Sequence, residues 1–434
     1  MNTFLLLATG IVFTAFSAAQ AATNPKDNFC APKIGRIRPT HLNAATNITG
    51  DTLAMAFSRD SKTLAVTHSK GFFQKEVKLI DVKKSSKWKD AAVSKNLYKD
   101  DNRITFNSMR NLIATSSDEQ GITFWNLVTG DPIPSMPALN CPQKSTPFRI
   151  RFFDNGKKIM GACNYDSIAA WDVDSGNLVL FEPAEVNFFE SPSVAKNAPV
   201  VVYREERSPN PAQLPAAVVH PSDIKAISEK QLRELIAPQS EEFAQVENTA
   251  VSEDGKIIGV SWYTKQSEQR GVIDAYHDGT YSLETGHWTE SYSRDINRLS
   301  KFLNLNNGHF LWLNEGGGWS YSSMTTFGDI YRSFKKRRSI TTYSNAFGKT
   351  PRGGILLGRP DGNIEYIAEP HQDLEATLLL PTQWPCDREA GQDTFSTSSV
   401  AAVTISPNGK HIAAIKGVVD VDKKLVFIDL PIGL

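Results

Sequence analysis

Short apolar stretches and polar turns alternate along this chain in a repeated order. Each unit starts with a turn rich in Asp, Asn, Gly and Lys, continues with an apolar strand and a polar loop, and ends with a second apolar strand that typically closes on an acid or amide. The first copy has the turn Ser58–Lys62 and the strands Thr63–Val66 and Val77–Asp81, and the last begins at Ser406–Lys410 and ends at Asp429. Because such a unit cannot bury its own apolar face, we expect consecutive units to stack.

The spacing of the units predicts the fold. Their second strands end at Asp81, Asn126, Asp172, His220, His277, Ser322, Ile367 and Asp429. These ends span 348 residues in seven steps, about 50 residues per unit, which is the length of a four-stranded antiparallel propeller blade. We therefore predict an all-β fold, a single β-propeller for which eight blades are favoured. Because the fourth and sixth copies are the most degenerate, seven blades are the alternative.

One segment departs from the β pattern. In residues 222–237, Ser228 and Gln231 have the spacing of a helix capping box. The apolar positions on one face of the predicted helix are Leu232, Leu235 and Ile236. We expect one short helical insertion that packs on the outside of blades four and five. A helix that docks a partner is the alternative.

The closing and turn motifs resemble those of a known family. The chain is similar to the WD40-like β-propeller superfamily, especially to its exported bacterial members with degenerate repeats. Trp125-Asn126 and Trp171-Asp172 stand where that family has Trp-Asp. The turns that resemble its Ser-Pro-Asp-Gly-Lys sequence are Ser58–Lys62, Ser252–Lys256 and Ser406–Lys410. The resemblance covers residues 51–430, lacks the family's Gly-His pair, and implies the propeller fold rather than a particular function.

The N-terminus carries the pattern of a signal peptide. Residues 1–21 have an apolar core from Phe4 to Phe16, followed by the small-x-small sequence Ala19-Gln20-Ala21. This core is shorter than the roughly 20 residues that span a bilayer. We predict cleavage near Ala21 and a periplasmic or secreted protein, with no integral membrane segment.

The segment that follows has a predicted structural role. Residues 31–48 have an extended pattern and belong to no complete unit. A propeller closes when one end of the chain completes the blade formed by the other. We therefore assign residues 22–50 to a segment that supplies the closing strand, and residues 51–434 to the WD40-like propeller.

The four cysteines are even in number, which is typical of disulfides in an oxidising compartment. Four thiols allow three pairings. We favour Cys141 with Cys163, which are near in sequence, and Cys30 with Cys386, which would tie the closing segment to the last repeats. No Cys-x-x-Cys or closely spaced His accompanies them, so we predict no metal site.

Charge indicates the kind of partner. The chain has 47 Lys and Arg and 47 Asp and Glu, so no global field attracts nucleic acid or an anionic membrane. The dense basic run Lys335–Arg338 reads as a solvated loop. We expect a monomer that binds a protein or a cell-envelope component and does not bind nucleic acid.

The repeat alignment also predicts a binding face. In a four-stranded propeller blade, the loop between the second and third strands lies on the same face as the blade-to-blade connections. In each unit described above, this loop follows the first of the two apolar strands. The residues at these strand ends, which we call the rim positions, are His68, Ser117, Asn164, Arg204, Trp262, Glu315, Arg359 and Lys416, with Tyr165, Tyr203 and Tyr263 beside them. Aromatic and Arg residues are enriched in binding hot spots.

Catalytic motifs are missing from the sequence. There is no His-Glu-x-x-His, no Gly-x-Ser-x-Gly and no complete calcium loop, and the quinone-cofactor docking pattern fails because Pro134 stands where it requires Trp. We assign no catalytic residue and no cofactor, and we favour a non-catalytic binding protein. The alternative is a lactonase-like hydrolase at the channel mouth, with His68 and either Glu315 or Arg359 as its functional groups.

Overall fold

In the described part of the chain, the regular elements are β-strands, one short α-helix and three short 3₁₀ segments. The computed structural model describes residues 41–48, 54–69, 74–84, 88–96, 98, 103–143, 145–163, 166–184, 193–203, 223–236, 243–265, 273–294, 299–304, 310–315, 326–331, 337–343, 346–358, 364–368, 377–380, 400–416 and 423–430. Within these ranges the strands form eight small sheets, and in seven of them all the strands are consecutive in the chain.

We number the sheets in chain order. The first contains β2 (Met55–Phe57), β3 (Thr63–Ser69), β4 (Lys75–Asp81) and β5 (Trp88–Lys89); the second contains β6 (Ile104–Asn107), β7 (Leu112–Ser117) and β8 (Gly121–Asn126). The third contains β9 (Pro147–Phe153), β10 (Lys158–Cys163), β11 (Ser167–Asp172) and β12 (Leu178–Pro183); the fourth contains β13 (Ser193–Val194), β14 (Val200–Tyr203) and β15 (Lys225–Ser228), which is followed by helix α1 (Glu229–Ile236).

The second half of the chain continues the series. The fifth sheet contains β16 (Phe243–Val251), β17 (Ile257–Lys265), β18 (Ile273–Ser282) and β19 (Trp288–Arg294); the sixth contains β20 (Leu299–Asn304), β21 (Phe310–Glu315), β22 (Thr326–Tyr331) and β23 (Arg337–Tyr343). The seventh contains β24 (Ala346–Lys349), β25 (Ile355–Gly358), β26 (Ile364–Ile367) and β27 (Thr377–Leu380); the eighth contains β28 (Val400–Ile405), β29 (His411–Lys416), β30 (Lys423–Asp429) and β1 (His41–Ile48). Strand β1 pairs antiparallel with β30.

The turns between first and second strands form because one hydroxyl satisfies several polar groups. The Ser58 hydroxyl donates to the Asp60 carboxylate at 2.6 Å and accepts from the backbone N–H of Thr63 at 3.0 Å. Equivalent bonds are made by Ser252 in the fifth sheet and by Ser406 in the eighth. All three serines are fully buried, so each needs the local partners that its turn provides.

Neighbouring sheets pack face to face. Buried apolar clusters join the first sheet to the second, the second to the third, the third to the fourth, the fourth to the fifth, and the seventh to the eighth. Strands β16 and β20 bring the fifth and sixth sheets into contact. The eighth sheet also packs on the first, because Ile415 and Phe427 share one cluster with Leu64 and Ile80. The core therefore lies between sheets, as the stacking of incomplete units predicts.

The first strands of neighbouring sheets lie beside one another. Contacts join β28 to β2, β2 to β6, β6 to β9, β9 to β13, β13 to β16, β16 to β20, and β24 to β28. Each of these strands is at the edge of its own sheet. We call this row of first strands the inner edge.

Two sheets depart from the predicted four antiparallel strands. The second has three named strands, and isolated bridges from Ile122 to Leu139 and from Trp125 to Pro132 extend it. The described residues of the fourth also form three, and its strands β14 and β15 run parallel. The closing motif assigned to the fourth unit, which ends at His220, lies outside the described residues.

Helix α1 forms at the predicted capping box. The Ser228 N–H donates to Gln231 Oε1 at 2.9 Å, and the Gln231 N–H donates to Ser228 Oγ at 3.2 Å. Leu232 is fully buried in the cluster between the fourth and fifth sheets, which the helix contacts through β15 and β16. Of the residues predicted to line one face of the helix, Leu235 is 40% exposed.

A disulfide joins Cys141 to Cys163, as predicted, with 5.7 Å between the Cα atoms. Cys163 ends β10, and Cys141 follows the bridge that extends the second sheet, so the bond ties the second and third sheets together. The predicted partners Cys30 and Cys386, and the signal peptide, lie outside the described residues. Within the described ranges, no helix is long and apolar enough to cross a membrane.

Candidate functional site

The first hairpin turns of the sheets are linked to one another. The backbone N–H of Arg59 donates to Asn111 Oδ1 at 2.7 Å, which joins the turns of the first and second sheets. The Arg110 guanidinium donates to the Gly156 carbonyl at 2.8 Å, and so joins the second to the third. We call these turns, 58–62, 107–111, 154–157, 195–199, 252–256, 350–353 and 406–410, the turn belt.

The belt continues beyond the third sheet. Asn155 Nδ2 donates to the Asn197 carbonyl at 3.1 Å, and the Asn197 N–H donates to the Glu253 carbonyl at 2.7 Å. At the other end of the chain, the Asn408 N–H donates to Ser61 Oγ at 3.3 Å. The first hairpin turns of sheets one to five and eight therefore lie at a common end of the stack.

A partly buried ion pair extends the belt to the seventh sheet. Lys349 Nζ lies 2.7 Å from Glu253 Oε1, and Lys196 Nζ lies 3.7 Å from the same oxygen. Burial lowers the pKa of Lys349, although Glu253 opposes the shift. The Glu253 carboxylate of the fifth sheet therefore lies close to the ammonium groups of two other sheets, Lys196 of the fourth and Lys349 of the seventh.

Most of the described rim positions lie at the ends of second strands, away from the first hairpin turns. His68 is the last residue but one of β3, while Ser117, Tyr203, Glu315 and Lys416 are the last residues of β7, β14, β21 and β29. Because a second strand runs away from its first hairpin turn, these ends point away from the belt. Asn164, Tyr165, Arg204 and Arg359 lie outside the described residues, directly after strands β10, β14 and β25.

Trp262 is not a rim residue. Strand β17 continues to Lys265, so Trp262 lies inside the strand, where its side chain is 3% exposed. Its ring packs against Trp288 with 5.2 Å between centroids, in the cluster between the fourth and fifth sheets. The prediction of an accessible Trp262 is therefore wrong, because the strands of the fifth sheet are longer than the repeat pattern indicates. Tyr263 follows it in the same strand and pairs in register with Tyr276.

His68 has contacts within its own sheet. Its Nδ1 atom lies 3.4 Å from Glu76 Oε1, and Lys78 Nζ lies 3.1 Å from the same oxygen. The imidazole meets the Trp88 ring edge-on, at 6.2 Å between centroids. The Glu76 side chain is only 6% exposed, and the repeat alignment missed its contact with His68 because that contact depends on the register between β3 and β4.

The acidic side chain beside His68 is not the one that the hydrolase hypothesis names. The carboxylate beside His68 belongs to Glu76 of the first sheet, whereas the predicted partner Glu315 ends a strand of the sixth. Among the described residues, no group of three or more His, Cys, Asp or Glu side chains could hold a metal ion.

Comparisons with known proteins find similarity among solved structures. No family model matches the chain, and no curated protein matches it. Among solved structures, the β-propeller domain of Cps50 (Swd1) from Myceliophteria thermophila is similar, with 10% sequence identity and a TM-score of 0.42, over 89% of this chain and 99% of that domain. The sheets described above therefore define the fold.

Proposed function

We propose that the chain is an exported, non-catalytic β-propeller that binds a protein or a cell-envelope component through its rim positions. The observation that carries the proposal is the division between two ends of the stack. The first hairpin turns are bonded to one another at one end, so the second-strand loops form a separate end on which side chains from many sheets can meet one partner.

The order of the sheets supports a closed ring of eight blades. Each sheet is an incomplete unit that buries its faces against neighbours, and the eighth buries Phe427 with Leu64 of the first. In this proposal, strand β1 completes the last blade and holds the ends of the chain together. A closed ring leaves no unpaired face in the stack, which is the physical reason for repeat arrays of this kind to close.

The side chains of this protein that we propose to contact the partner include both charged and aromatic groups. His68, Tyr203, Glu315 and Lys416 end described strands, and Asn164, Tyr165, Arg204 and Arg359 follow such strands in sequence. Arg and Tyr contribute strongly to interfaces because they bury much area and still donate directional hydrogen bonds. Trp262 is not part of the proposed surface.

The test is affinity capture from an envelope extract with the mature protein as bait. We compare the wild type with the rim variant Arg204→Ala, Arg359→Ala and Lys416→Ala. The matched control is Lys62→Ala, Arg352→Ala and Lys410→Ala, which removes three exposed cations from the turn belt. We expect a partner that the wild type and the belt variant retain and the rim variant loses. Equal retention by both variants would contradict the proposal.

A further inference from the structure

Strand β9, the inner-edge strand of the third sheet, carries two arginines in an irregular backbone. Arg149 has a φ of 52°, in the left-handed region that L residues other than Gly, Asn and Asp rarely adopt. The register between β9 and β10 shifts at this point, so that Arg149 and Ile150 together oppose Gly161. Strand β9 therefore contains a β-bulge, a feature that turns side chains to new directions and is frequent beside functional sites.

The sequence of the partner strand fits this bulge. A Cβ atom added at Gly161 would lie 3.1 Å from the Pro147 Cβ and 3.2 Å from the Ile150 Cγ2. Both distances are shorter than ordinary van der Waals contact, so glycine allows the extra residue to fit. The Arg149 side chain is only 6% exposed, which means that the bulge packs this arginine into the protein.

Arg151 follows the bulge and has a different environment. It pairs in register with Met160, and its side chain is exposed to solvent. Burial among protein atoms nevertheless lowers its pKa. Strands β6 and β13 contact β9 from the neighbouring sheets, so they supply protein atoms around Arg151.

The Arg151 guanidinium makes no hydrogen bond or ion pair with the residues that the structure describes. A cation held among protein atoms without an anion is unfavourable, because it loses hydration and gains no compensating charge. A planar guanidinium offers a rigid fork of donors that matches the two oxygens of a carboxylate or the oxygens of a phosphate.

We propose that Arg151 is the anchor of an oxyanion-binding site on the inner edge, and that the Arg149 bulge sets its direction. The ligand is a carboxylate or phosphate group. Such a group can belong to a small molecule or to an acidic side chain of a partner that enters the space between the first strands. The site goes beyond the proposed function, because it lies on the inner edge and not at the rim positions.

Isothermal titration calorimetry on the mature protein tests this site. The probes are inorganic phosphate, citrate and a tetraglutamate peptide, each compared with sodium chloride at the same ionic strength. We expect saturable binding of at least one probe. In Arg151→Gln its affinity should fall roughly 10- to 100-fold, because charge-assisted hydrogen bonds to the anion are lost. Arg151→Lys should be intermediate, and Arg352→Gln, which changes an exposed arginine of the turn belt, should bind like the wild type.

The probes also separate the two sources of the anion. Tight binding of phosphate or citrate indicates a small-molecule ligand, whereas preferential binding of the peptide indicates an acidic partner segment. The proposed site is overturned if no probe shows saturable binding to the wild type above the salt control. It is also overturned if Arg151→Gln binds the probe as tightly as the wild type and the control Arg352→Gln do. Neither result depends on capture of a partner, so it leaves the rim proposal to its own test.

Thermal unfolding distinguishes a binding role of Arg151 from a structural role. Without an added anion, Arg151→Gln should melt at the same temperature as the wild type or higher, since the substitution removes an unpaired charge. A clear decrease in melting temperature would show that the guanidinium supports the fold, and would contradict its assignment as an open binding group.

Discussion

The third and fourth sheets are neighbours that share one apolar cluster, yet they are built differently. The third has four antiparallel strands, and every residue of its strand β10 is buried. In the part of the chain that the structure describes, the fourth has three strands, of which β13 is two residues long and β14 and β15 are parallel. Parallel pairing requires a long crossover, and the chain between Tyr203 and Lys225 provides one.

The difference shows which part of the repeat the stack requires. The fourth sheet keeps its first hairpin and its second strand, where Val201 is buried against the third sheet. The strand that follows is no longer antiparallel. In the fourth sheet, the second strand supplies the buried Val201 of the shared cluster and the first hairpin supplies the bonds of the turn belt, whereas the next described strand, β15, is parallel. The following predictions test this contrast, beginning with the largest effect.

Loss of a large core side chain in the third sheet should have the greatest effect. Trp171 is 2% exposed and lies in the cluster between the second and third sheets. We expect Trp171→Ala to lower the free energy of unfolding by about 3–5 kcal/mol, because it removes apolar contacts and leaves a cavity. Urea unfolding measures the change, and Trp171→Phe should lose less. Equal losses for the two variants would contradict cavity formation as the cause.

The disulfide should rank next. Removing it with the double variant Cys141→Ser and Cys163→Ser should cost about 3 kcal/mol, because the bond constrains the unfolded chain between two residues 22 apart in sequence. Hydrogen exchange should locate the loss of protection in the second and third sheets. A loss centred on the fourth sheet would contradict this prediction.

The helix cap of the fourth sheet should have a smaller effect. Ser228→Ala removes the hydroxyl that accepts from the Gln231 N–H, and should cost about 1 kcal/mol. Ser228→Thr keeps an acceptor and serves as the control. Urea unfolding monitored by circular dichroism gives both values. If both variants lose stability equally, the cap is not the cause.

The smallest effect concerns pH and the last turn of the third sheet. Partial burial of Asp172 disfavours its charged form, but hydrogen bonds from the Ser175 N–H and hydroxyl lower its pKa below the ordinary 3.8. Its contribution to stability is therefore fully present above that ordinary value and is lost as the pH falls through the lower, folded pKa. Unfolding free energies measured between about pH 6 and pH 2 should show a shallower acid loss in Ser175→Ala than in the wild type. An unchanged slope would contradict the assignment.

Local patterns in the sequence predicted much of the fold. The ends of β4, β8, β11 and β30 at Asp81, Asn126, Asp172 and Asp429 follow from the alternation of apolar runs and turns. The capping box and the Cys141–Cys163 pair were predictable because each depends on residues near one another in sequence.

Features that depend on strand length or strand pairing were not predictable. Trp262 was placed at a strand end, but β17 continues for three more residues. Glu76 meets His68 only because of the register between β3 and β4. The bulge at Arg149 has no signal of its own, since arginine is not a residue that favours positive φ.

Amide hydrogen exchange tests the proposed closed ring most directly. A protein of residues 22–434 is compared with one of residues 51–434, which lacks strand β1. Ring closure by β1 predicts slow exchange in β30 of the longer protein. In the truncated variant, exchange should become fast in β30 and should also accelerate in β2 and β3, because the eighth sheet packs on the first. If β30, β2 and β3 remain equally protected without residues 22–50, the N-terminal strand does not close the ring.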